Sequence, residues 1–483
     1  MTAVTAARRM TSPGATRLAV PLIAYFLIGN AIGLAFLAMV GRLGDKAVAG
    51  SGIGNVIFSL LMALIFGFDT GVQALVSRAS GGGARALAGR ILAEALVVSV
   101  PFGVLLCAIC AGFGPYAAAF LTSDRTVAAH ASAYVINAAP SLVFLATTTP
   151  FNAYWIATGN PRITFLVTAM TVPAEIAIAW PLIFGTMGLR GFGVGGAGLA
   201  VTAGTFFGLM IQLALGTRLK RIEGLFRYRP RPGGVAAILA LGWPVSLQQC
   251  LVQLGSIISF GIVSSLGVAS IAIVNVLGTL ALVPTQTAVG IGTACGTLVG
   301  QALGRGDAAA AKRWGWRLAG TGVVLLAPLG LVAFFAPRML LGFFLRDPHT
   351  LLLAIWPTQL LGLSVGIDAV VWILGFALRG AGATKIATAV PFLLRWAMQL
   401  PLIWWIGVKL HFGINGMAAV LFVLAAIEAF VFAVVWSRGR WARTVTVFPR
   451  RAKNEESAAG RCAASETVTA RMPLSLPLRT RKV

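Results

Sequence analysis

The amino-acid sequence predicts an all-α polytopic membrane protein whose twelve transmembrane helices form two lobes of six helices each. Apolar residues make up 58% of the 483-residue chain and charged residues only 11%, whereas a soluble domain carries about 25% charged residues. Uncharged stretches of about 20 residues recur throughout, and this is the length that crosses a bilayer as a helix. Because these stretches are continuous rather than alternating, they favour helices over a membrane-spanning barrel.

The two lobes are predicted by an internal repeat. Residues 40–90 align with residues 263–313 without a gap, at a constant shift of 223 positions. The identical pairs include Gly44 and Gly267, Gly67 and Gly290, Gly81 and Gly304, and Arg90 and Arg313. A repeat of this length indicates a duplicated unit, and duplication within a membrane protein is typical of transporters built from two halves.

Hydropathy places six spans before a polar segment and six after it. The predicted spans are 18–40, 52–77, 91–113, 132–156, 163–187, 193–216, 237–262, 272–300, 316–337, 354–378, 387–409 and 413–436. The chain then divides into an N-terminal segment (1–17), a first lobe (18–217), a linker (218–234), a second lobe (235–437) and a basic C-terminal tail (438–483). Because six is even, both lobes enter the membrane from the same side, and an axis along the membrane normal should relate them in parallel.

Lysine and arginine residues indicate the orientation. With the N-terminus inside the cell, the cytoplasmic segments carry 30 basic residues and the outer loops carry 7. Since basic residues accumulate on the cytoplasmic side, both termini and the linker are predicted to be cytoplasmic, in a multi-pass protein of the cell membrane. The tail has few large apolar residues, which is typical of disorder with some attraction to anionic lipid.

Several classes of function are disfavoured by the sequence. The net charge of +25 reflects basic loops and a basic tail rather than a nucleic-acid surface. The five cysteines form no disulfide framework. The three histidines fall in separate outer loops, and the sequence has no metal-ligand cluster, nucleophile motif or nucleotide-binding loop. We therefore expect neither an enzyme nor a resident cofactor or metal.

Several short motifs occur together at the ends of these spans. They are V-G-R-L-G at 40–44, A-T-G-N-P-R at 157–162, P-L-I-F-G at 181–185, G-x-G-G-A at 193–197 and A-L-R-G at 377–380. In combination they make residues 18–437 resemble the multidrug and toxic compound extrusion (MATE) family. The resemblance implies two six-helix lobes packed in a V around a central cavity, and antiport of drugs or metabolites against H⁺ or Na⁺.

Ionisable residues inside the predicted spans are candidates for ion coupling, because a charge near the bilayer centre costs about 2.5–3.5 kcal/mol and is seldom present without a role. They are Asp69, Glu94, Glu175, Asp368, Arg395 and Glu428. Glu94 stands one helical turn after Arg90 near the end of a span, where we expect a structural ion pair. At 1.5 Å per residue, the other four acids lie about 14–20 Å from a cytoplasmic arginine, deep in the membrane.

Asp368 is the leading candidate among these acids. Its position before A-L-R-G matches the acid of the tenth helix that the MATE resemblance implies for cation coupling. Burial disfavours the charged form of a carboxyl group, so such an acid can exchange a proton for a cationic substrate. In the alternative, Arg395, predicted at the same depth on the neighbouring span, pairs with Asp368, holds it charged and makes it structural.

Elsewhere the chain departs from the MATE pattern. The acid that the resemblance places in the first helix is Phe36 here, and that of the seventh falls at the uncharged Val252-Gln253. Because Na⁺ is a hard cation that needs several oxygen ligands, preferably carboxylates, H⁺ is favoured as the coupling ion. Asp69 and Glu175 are the acids that would supply a proton site in the first lobe.

Two further sets of residues point to a central cavity. Pro173 and Pro181 interrupt span 5, and Pro391 and Pro401 interrupt the corresponding span 11. Paired interruptions mark binding sites in transporters, although packed membrane helices also tolerate proline. Uncharged polar residues within the spans either line a cavity or tie helices together. The four selected for the cavity are Asn152, Gln253, Asn275 and Gln286.

Together these features predict a monomeric antiporter that exports small, cationic amphipathic molecules by alternating access of its two lobes. The alternative is a flippase for lipid-linked sugars or another lipid-like substrate, from the wider group of similar carriers. A pyrophosphate-bearing lipid would require a strongly cationic cavity. The deep charges are four acids against one arginine, which favours an organic cation.

Overall fold

The computed structural model describes residues 13–185, 191–218 and 231–443. Its helices correspond to the twelve predicted spans: α1 Pro13–Gly41, α2 Asp45–Gly81, α3 Arg85–Leu121, α4 in two segments (Arg125–Ala138 and Ser141–Ala157), α5 Pro161–Phe184, α6 Val194–Arg218, α7 Pro232–Ser264, α8 Val268–Gly304, α9 Ala308–Phe335, α10 Pro348–Gly380, α11 Thr384–Lys409 and α12 Gly413–Arg438. Within these ranges eleven helices are individually long and apolar enough to cross a membrane, and the two segments of α4 make the twelfth. Residues 1–12, most of the predicted linker (219–230) and the tail from residue 444 lie outside the described residues.

The longest helices extend beyond the predicted spans. α2, α3 and α8 each contain 37 residues, which is about 55 Å at 1.5 Å per residue, against about 30 Å of hydrocarbon. Hydropathy marks only the apolar middle of a helix, whereas α2 continues into the polar residues Asp45 and Lys46 at one end and Arg78 at the other. The predicted boundaries are too short because helical structure continues where water and headgroups solvate polar side chains.

The fourth span is bent rather than straight. It is predicted as a single helix over 132–156, but its two segments meet at an angle of 47°. The break falls at Ala139 and Pro140, between the segments. Proline lacks the N–H group that would continue the helical bonding, so the chain can change direction there.

The predicted interruption of span 11 is confirmed, and that of span 5 is wrong. In α11, π-helical turns occupy Leu394–Gln399 and Trp405–Lys409. The corresponding helix α5 stays α-helical through Pro173 and Pro181. The two lobes therefore differ in a helix where the sequence suggested a symmetric feature.

The internal repeat is reproduced in the backbone of the turns. Three pairs of glycines that stand 223 residues apart have matching positive φ angles: Gly44 (103°) and Gly267 (98°), Gly83 (81°) and Gly306 (82°), and Gly159 (85°) and Gly382 (76°). Glycine enters this region without steric strain. Both lobes therefore turn the chain in the same way at equivalent positions, as the sequence predicts.

Two equivalent aspartates cap helices outside the membrane-spanning segments. Asp124 accepts the N–H of Thr126 at 2.8 Å and pairs with Lys46 at 2.9 Å, and Asp347 accepts the N–H of Thr350 at 2.9 Å. The Lys46 hydrogen bond, with the backbone N–H groups, lowers the pKa of Asp124 from 3.8 to about 2. Stability from such a carboxylate is present above the unfolded pKa and is lost only as the pH falls through the folded one. This cap therefore does not titrate near neutral pH.

The two lobes meet along a seam formed by α1 and α2 of the first lobe with α7 and α8 of the second. Its contacts are reciprocal, because a Cβ on Gly81 would overlap the carbonyl oxygen of Gln301, and a Cβ on Gly304 would overlap that of Arg78. Residues 78 and 301 are equivalent in the repeat, as are 81 and 304. Since equivalent ends of α2 and α8 meet, the lobes point the same way, and the predicted parallel relation is confirmed.

Hydrogen bonds reinforce the same end of the seam, which we call the Gly81 end. Arg78 donates from Nη2 to the carbonyl oxygen of Ala381 at 2.5 Å. In the other direction, Gln301 donates from Nε2 to the carbonyl oxygen of Ala157 at 2.9 Å. Each lobe therefore donates one side chain to a turn of the other lobe, and these bonds must break before this end can open.

Glu94 also joins the lobes, from α3 of the first lobe to the start of α7 in the second. Its predicted ion pair with Arg90 is present at 3.0 Å. The same carboxylate oxygen accepts the backbone N–H of Arg231 at 3.1 Å, and a Cβ on Gly234 would overlap the other oxygen. Unpaired N–H groups and the helix dipole favour an anion at this position. The contact across the lobes is one that the sequence did not predict.

Gly67→Ala should destabilise the protein, because a Cβ at Gly67 would overlap Ser246 of α7 and overpacking costs about 1–3 kcal/mol. The measurement is the thermal unfolding temperature in detergent. Gly52→Ala on the same helix is the matched control, since nothing lies within 4 Å of a Cβ there. Equal unfolding temperatures for the two variants would show that α2 and α7 are not tightly packed at Gly67.

Candidate functional site

A cavity of about 660 Å³ lies inside the second lobe, between α7, α8, α10, α11 and α12. Its walls are mostly apolar, with four uncharged polar residues and three charged ones. The polar lining consists of Ser256, Ser259, Ser364, Gln399, Asp368, Arg395 and Glu428. An apolar pocket of this volume with a few polar groups is typical of small-molecule sites.

Asp368 lies on the α10 wall of this cavity. Ser364, one turn earlier on the same helix, donates its hydroxyl to Asp368 Oδ2 at 3.0 Å. The side chain is half-buried, and no ion pair to it occurs in the part of the chain that the structure describes. A carboxylate with one weak donor and access to a cavity can bind a proton or a cationic group.

Arg395 lines the cavity from the first π-helical turn of α11. Its Nη2 donates to Ser256 Oγ of α7 at 2.7 Å. The absence of a side chain at Gly255 makes room for this approach, because a Cβ there would lie 2.8 Å from Arg395 Nε. The alternative in which Arg395 pairs with Asp368 is therefore not realised in this conformation, since the guanidinium is directed to α7.

Glu428, one of the candidate acids within the predicted spans, is also a member of this cluster. It lines the same cavity from α12, and its charge interacts with those of Asp368, Arg379 and Arg395. Arg379 also donates to Gln248 Oε1 of α7 at 3.3 Å. The signal available in the sequence is depth, because Glu428 and Asp368 stand at similar distances from arginines at the same ends of their helices.

Glu175 lies in the core of the first lobe, apart from this cavity. Only 6% of its surface is exposed. Its carboxylate lies against α6, where a Cβ on Gly204 would overlap Oε2, and its charge interacts with Tyr134 of α4. Asp69 lies elsewhere, on α2 at the seam between the lobes, and is not part of this core. The structure therefore does not bring these two acids together, and their roles in transport stay predictions.

The four uncharged polar candidates do not line the cavity of the second lobe. Asn152 accepts a hydrogen bond from Gln212 of α6, and Gln253 donates to Ser59 across the seam at 3.5 Å. Asn275 is exposed and Gln286 is half-buried. The first two tie helices together, which is the alternative role of amides in membrane helices.

Two equivalent six-helix lobes that meet at a seam, with a charged cavity inside one of them, define a membrane transporter rather than an enzyme. A model of the MatE family matches residues 21–181 and 244–405, two stretches whose first residues are separated by the interval of the internal repeat. These matches cover more than half of the chain. The protein belongs to the MatE family, and the resemblance to MATE transporters is confirmed.

Named relatives and solved structures agree with this assignment. The "Probable multidrug resistance protein NorM" of Bradyrhizobium diazoefficiens is 30% identical over 410 residues, which cover 80% of this chain and 85% of that protein. Its namesake from Thermotoga maritima is 24% identical over 391 residues, covering 80% and 83%. A mutant of the Vibrio cholerae MATE transporter VcmN superposes with a TM-score of 0.83 at 17% identity, covering 92% of this chain and 99% of that one. A MOP superfamily transporter from Pyrococcus furiosus gives 0.78 at 16% identity, covering 89% and 96%.

A double-mutant cycle should separate the contacts of Arg395. Combining Arg395→Ala with Ser256→Ala should give a coupling of about 1–3 kcal/mol. Either single substitution already removes the hydrogen bond between the two side chains, so the double variant loses no further energy from it. Combining Arg395→Ala with Asp368→Asn should give a smaller coupling, since these two side chains share no hydrogen bond or ion pair and are linked only through Glu428. The measurement is the free energy of unfolding in detergent. A larger coupling to Asp368 than to Ser256 would establish the ion pair instead.

Proposed function

We propose that the protein is an antiporter that exports small, cationic amphipathic molecules in exchange for protons. The observation that supports this most directly is the cavity of the second lobe, where Asp368 and Glu428 line a mostly apolar wall. Neither carboxylate forms an ion pair within the described ranges. Apolar walls suit the hydrophobic part of an amphipathic drug, and the carboxylates suit its cationic group. The names of the relatives, multidrug resistance proteins, support a drug-like substrate.

In the transport cycle, protons and the cationic substrate compete for the same two carboxyl groups. Protonation of Asp368 removes the negative charge that holds a cationic substrate, so the substrate leaves. Loss of the proton restores the charge and allows a new substrate to bind. Net transport requires that the cavity opens to one side of the membrane when substrate binds and to the other side when it leaves. Rocking of the two lobes about their seam provides this change of access.

The described conformation corresponds to one state of this cycle. The Gly81 end of the seam is closed by backbone contacts between α2 and α8. Under the orientation predicted from the basic residues, this end faces the cytoplasm. We therefore assign the conformation as closed to the cytoplasm, in a monomeric protein of the cytoplasmic membrane with both termini inside.

A proton fits the cavity better than a sodium ion. Sodium is a hard cation that requires several oxygen ligands around one point, and the oxygen-bearing side chains of the described cavity are spread over four helices. Arg395 lines the cavity, and Arg379 interacts with Glu428. A proton, by contrast, needs only a single carboxyl oxygen.

The second candidate function is a flippase for lipid-linked sugars or another lipid-like substrate. The observation that favours it is the presence of Arg379 and Arg395 near the cavity, because guanidinium groups bind phosphates in a bidentate manner. Both side chains, however, donate to α7, through Gln248 and Ser256. Drug antiport is therefore the function that we favour.

Asp368→Asn should abolish the proton release that a cationic substrate drives in proteoliposomes, because an amide cannot take up and release the proton. Asp45→Asn is the matched control, since Asp45 is an exposed acid at the first residue of α2. This control should release protons as the wild type does. Normal release by Asp368→Asn would remove Asp368 from the mechanism.

Counterflow of a cationic dye in liposomes should distinguish the coupling ions. A pH gradient alone should drive accumulation of the dye, and a sodium gradient alone should not, because the oxygen-bearing side chains of the cavity are spread over four helices rather than gathered around one cation. Accumulation under the sodium gradient only would reverse this assignment. Transfer of a pyrophosphate-linked lipid between leaflets, without dye transport, would favour the flippase.

A further inference from the structure

Asp69 occupies a different part of the molecule from the cavity acids. It lies on α2 between two glycines that contact α7 of the other lobe: a Cβ on Gly67 would overlap Ser246, and a Cβ on Gly71 would lie 2.9 Å from the Ile238 carbonyl oxygen. One turn further, Gln73 donates to the carbonyl oxygen of Thr293 on α8 at 3.2 Å. Both faces of α2 are therefore in contact with the second lobe at the level of Asp69.

The carboxyl group of Asp69 has no counter-charge at this position. Its Oδ1 is buried and has no hydrogen-bond partner, although the residue as a whole is half-buried. Among titratable groups in the described ranges, Tyr25 of α1 is the one that interacts with it electrostatically. The polar side chains of α7 and α8 that contact α2 beside this position are neutral, namely Ser246 at Gly67 and Thr297 at Gln73. A carboxylate here would have one buried oxygen and no cation beside it.

An unpaired charge with one oxygen buried in this way is costly, and binding a proton relieves that cost. When the lobes separate along the seam, water also reaches the buried oxygen and the O–H bond breaks, with the proton passing to water. The closed seam therefore binds one more proton than the open seam. By linkage, low pH favours closure of the Gly81 end and high pH favours its opening, by up to about tenfold per pH unit for one proton.

We propose that Asp69 is a proton-binding site within the lobe seam, and that its protonation closes the Gly81 end while its ionisation opens it. The inference deepens the proposed antiport function, since it rests on alternating access of the lobes. It assigns the proton a second task, distinct from competition with substrate at Asp368. In a transporter oriented as predicted, opening of the seam would release this proton to the cytoplasm.

The test is a distance measurement across the Gly81 end at several pH values. Arg85 and Ala308 are exposed, equivalent first residues of α3 and α9, and spin labels on Arg85→Cys and Ala308→Cys, with the native cysteines replaced by alanine, report the separation of the lobes. The population with a long distance should increase as the pH rises from acidic to alkaline. Asp69→Asn should keep the short distance at every pH, whereas Asp69→Glu should restore the pH dependence.

Controls separate this inference from the proposed function. Asp45→Asn should behave as the unmodified chain does, because Asp45 is exposed. Asp368→Asn should lose substrate-driven proton release yet keep the pH-dependent distance. If the Asp69→Asn protein aggregates after purification, Asp69→Ala also removes the titratable group and provides the same comparison of distance against pH. A distance that follows pH equally with and without Asp69 would overturn the inference while leaving the role of Asp368 intact, and so would a distance that never changes with pH.

Discussion

The close approach of backbone to backbone at the seam is the constraint on which the rest of the structure depends. Gly81 lies against the Gln301 carbonyl and Gly304 against that of Arg78, and the two contacts are equivalent in the repeat. Where backbone meets backbone no compressible layer of side chains lies between the helices, so a small displacement at this end breaks the contact. The alternating access that we propose requires such a contact to be either made or broken.

The backbone of the two lobes follows the internal repeat, but their ionisable side chains do not. The second lobe holds a cluster of Asp368, Glu428 and Arg395 around a cavity. The first lobe holds Glu175 in a tightly packed core, where 6% of the residue is exposed. The second lobe therefore presents its acids to a cavity, whereas the first lobe encloses Glu175 among packed side chains.

The fold could be predicted from the sequence because membrane hydropathy and an ungapped repeat are strong, additive signals. The glycine turns were predictable for the same reason, since φ angles such as 103° at Gly44 and 98° at Gly267 are open chiefly to glycine. The candidate site was predicted only in part. Depth along a helix places Asp368 and Arg395 at one level, but it does not give the rotation of either helix. The π-helical turn and the gap at Gly255 direct Arg395 to Ser256, and neither feature has a signature in hydropathy.

The π-helical turns of α11 change the directions in which its side chains point. α5 contains 24 residues and its counterpart α11 contains 26. A π-helical turn closes its hydrogen bond one residue later than an α-helical turn, so it takes more residues to complete one rotation. Side chains beyond such a turn therefore face directions that an uninterrupted α-helix such as α5 would not give them. The interiors of the two lobes thus differ through the winding of equivalent helices as well as through the residues that those helices carry.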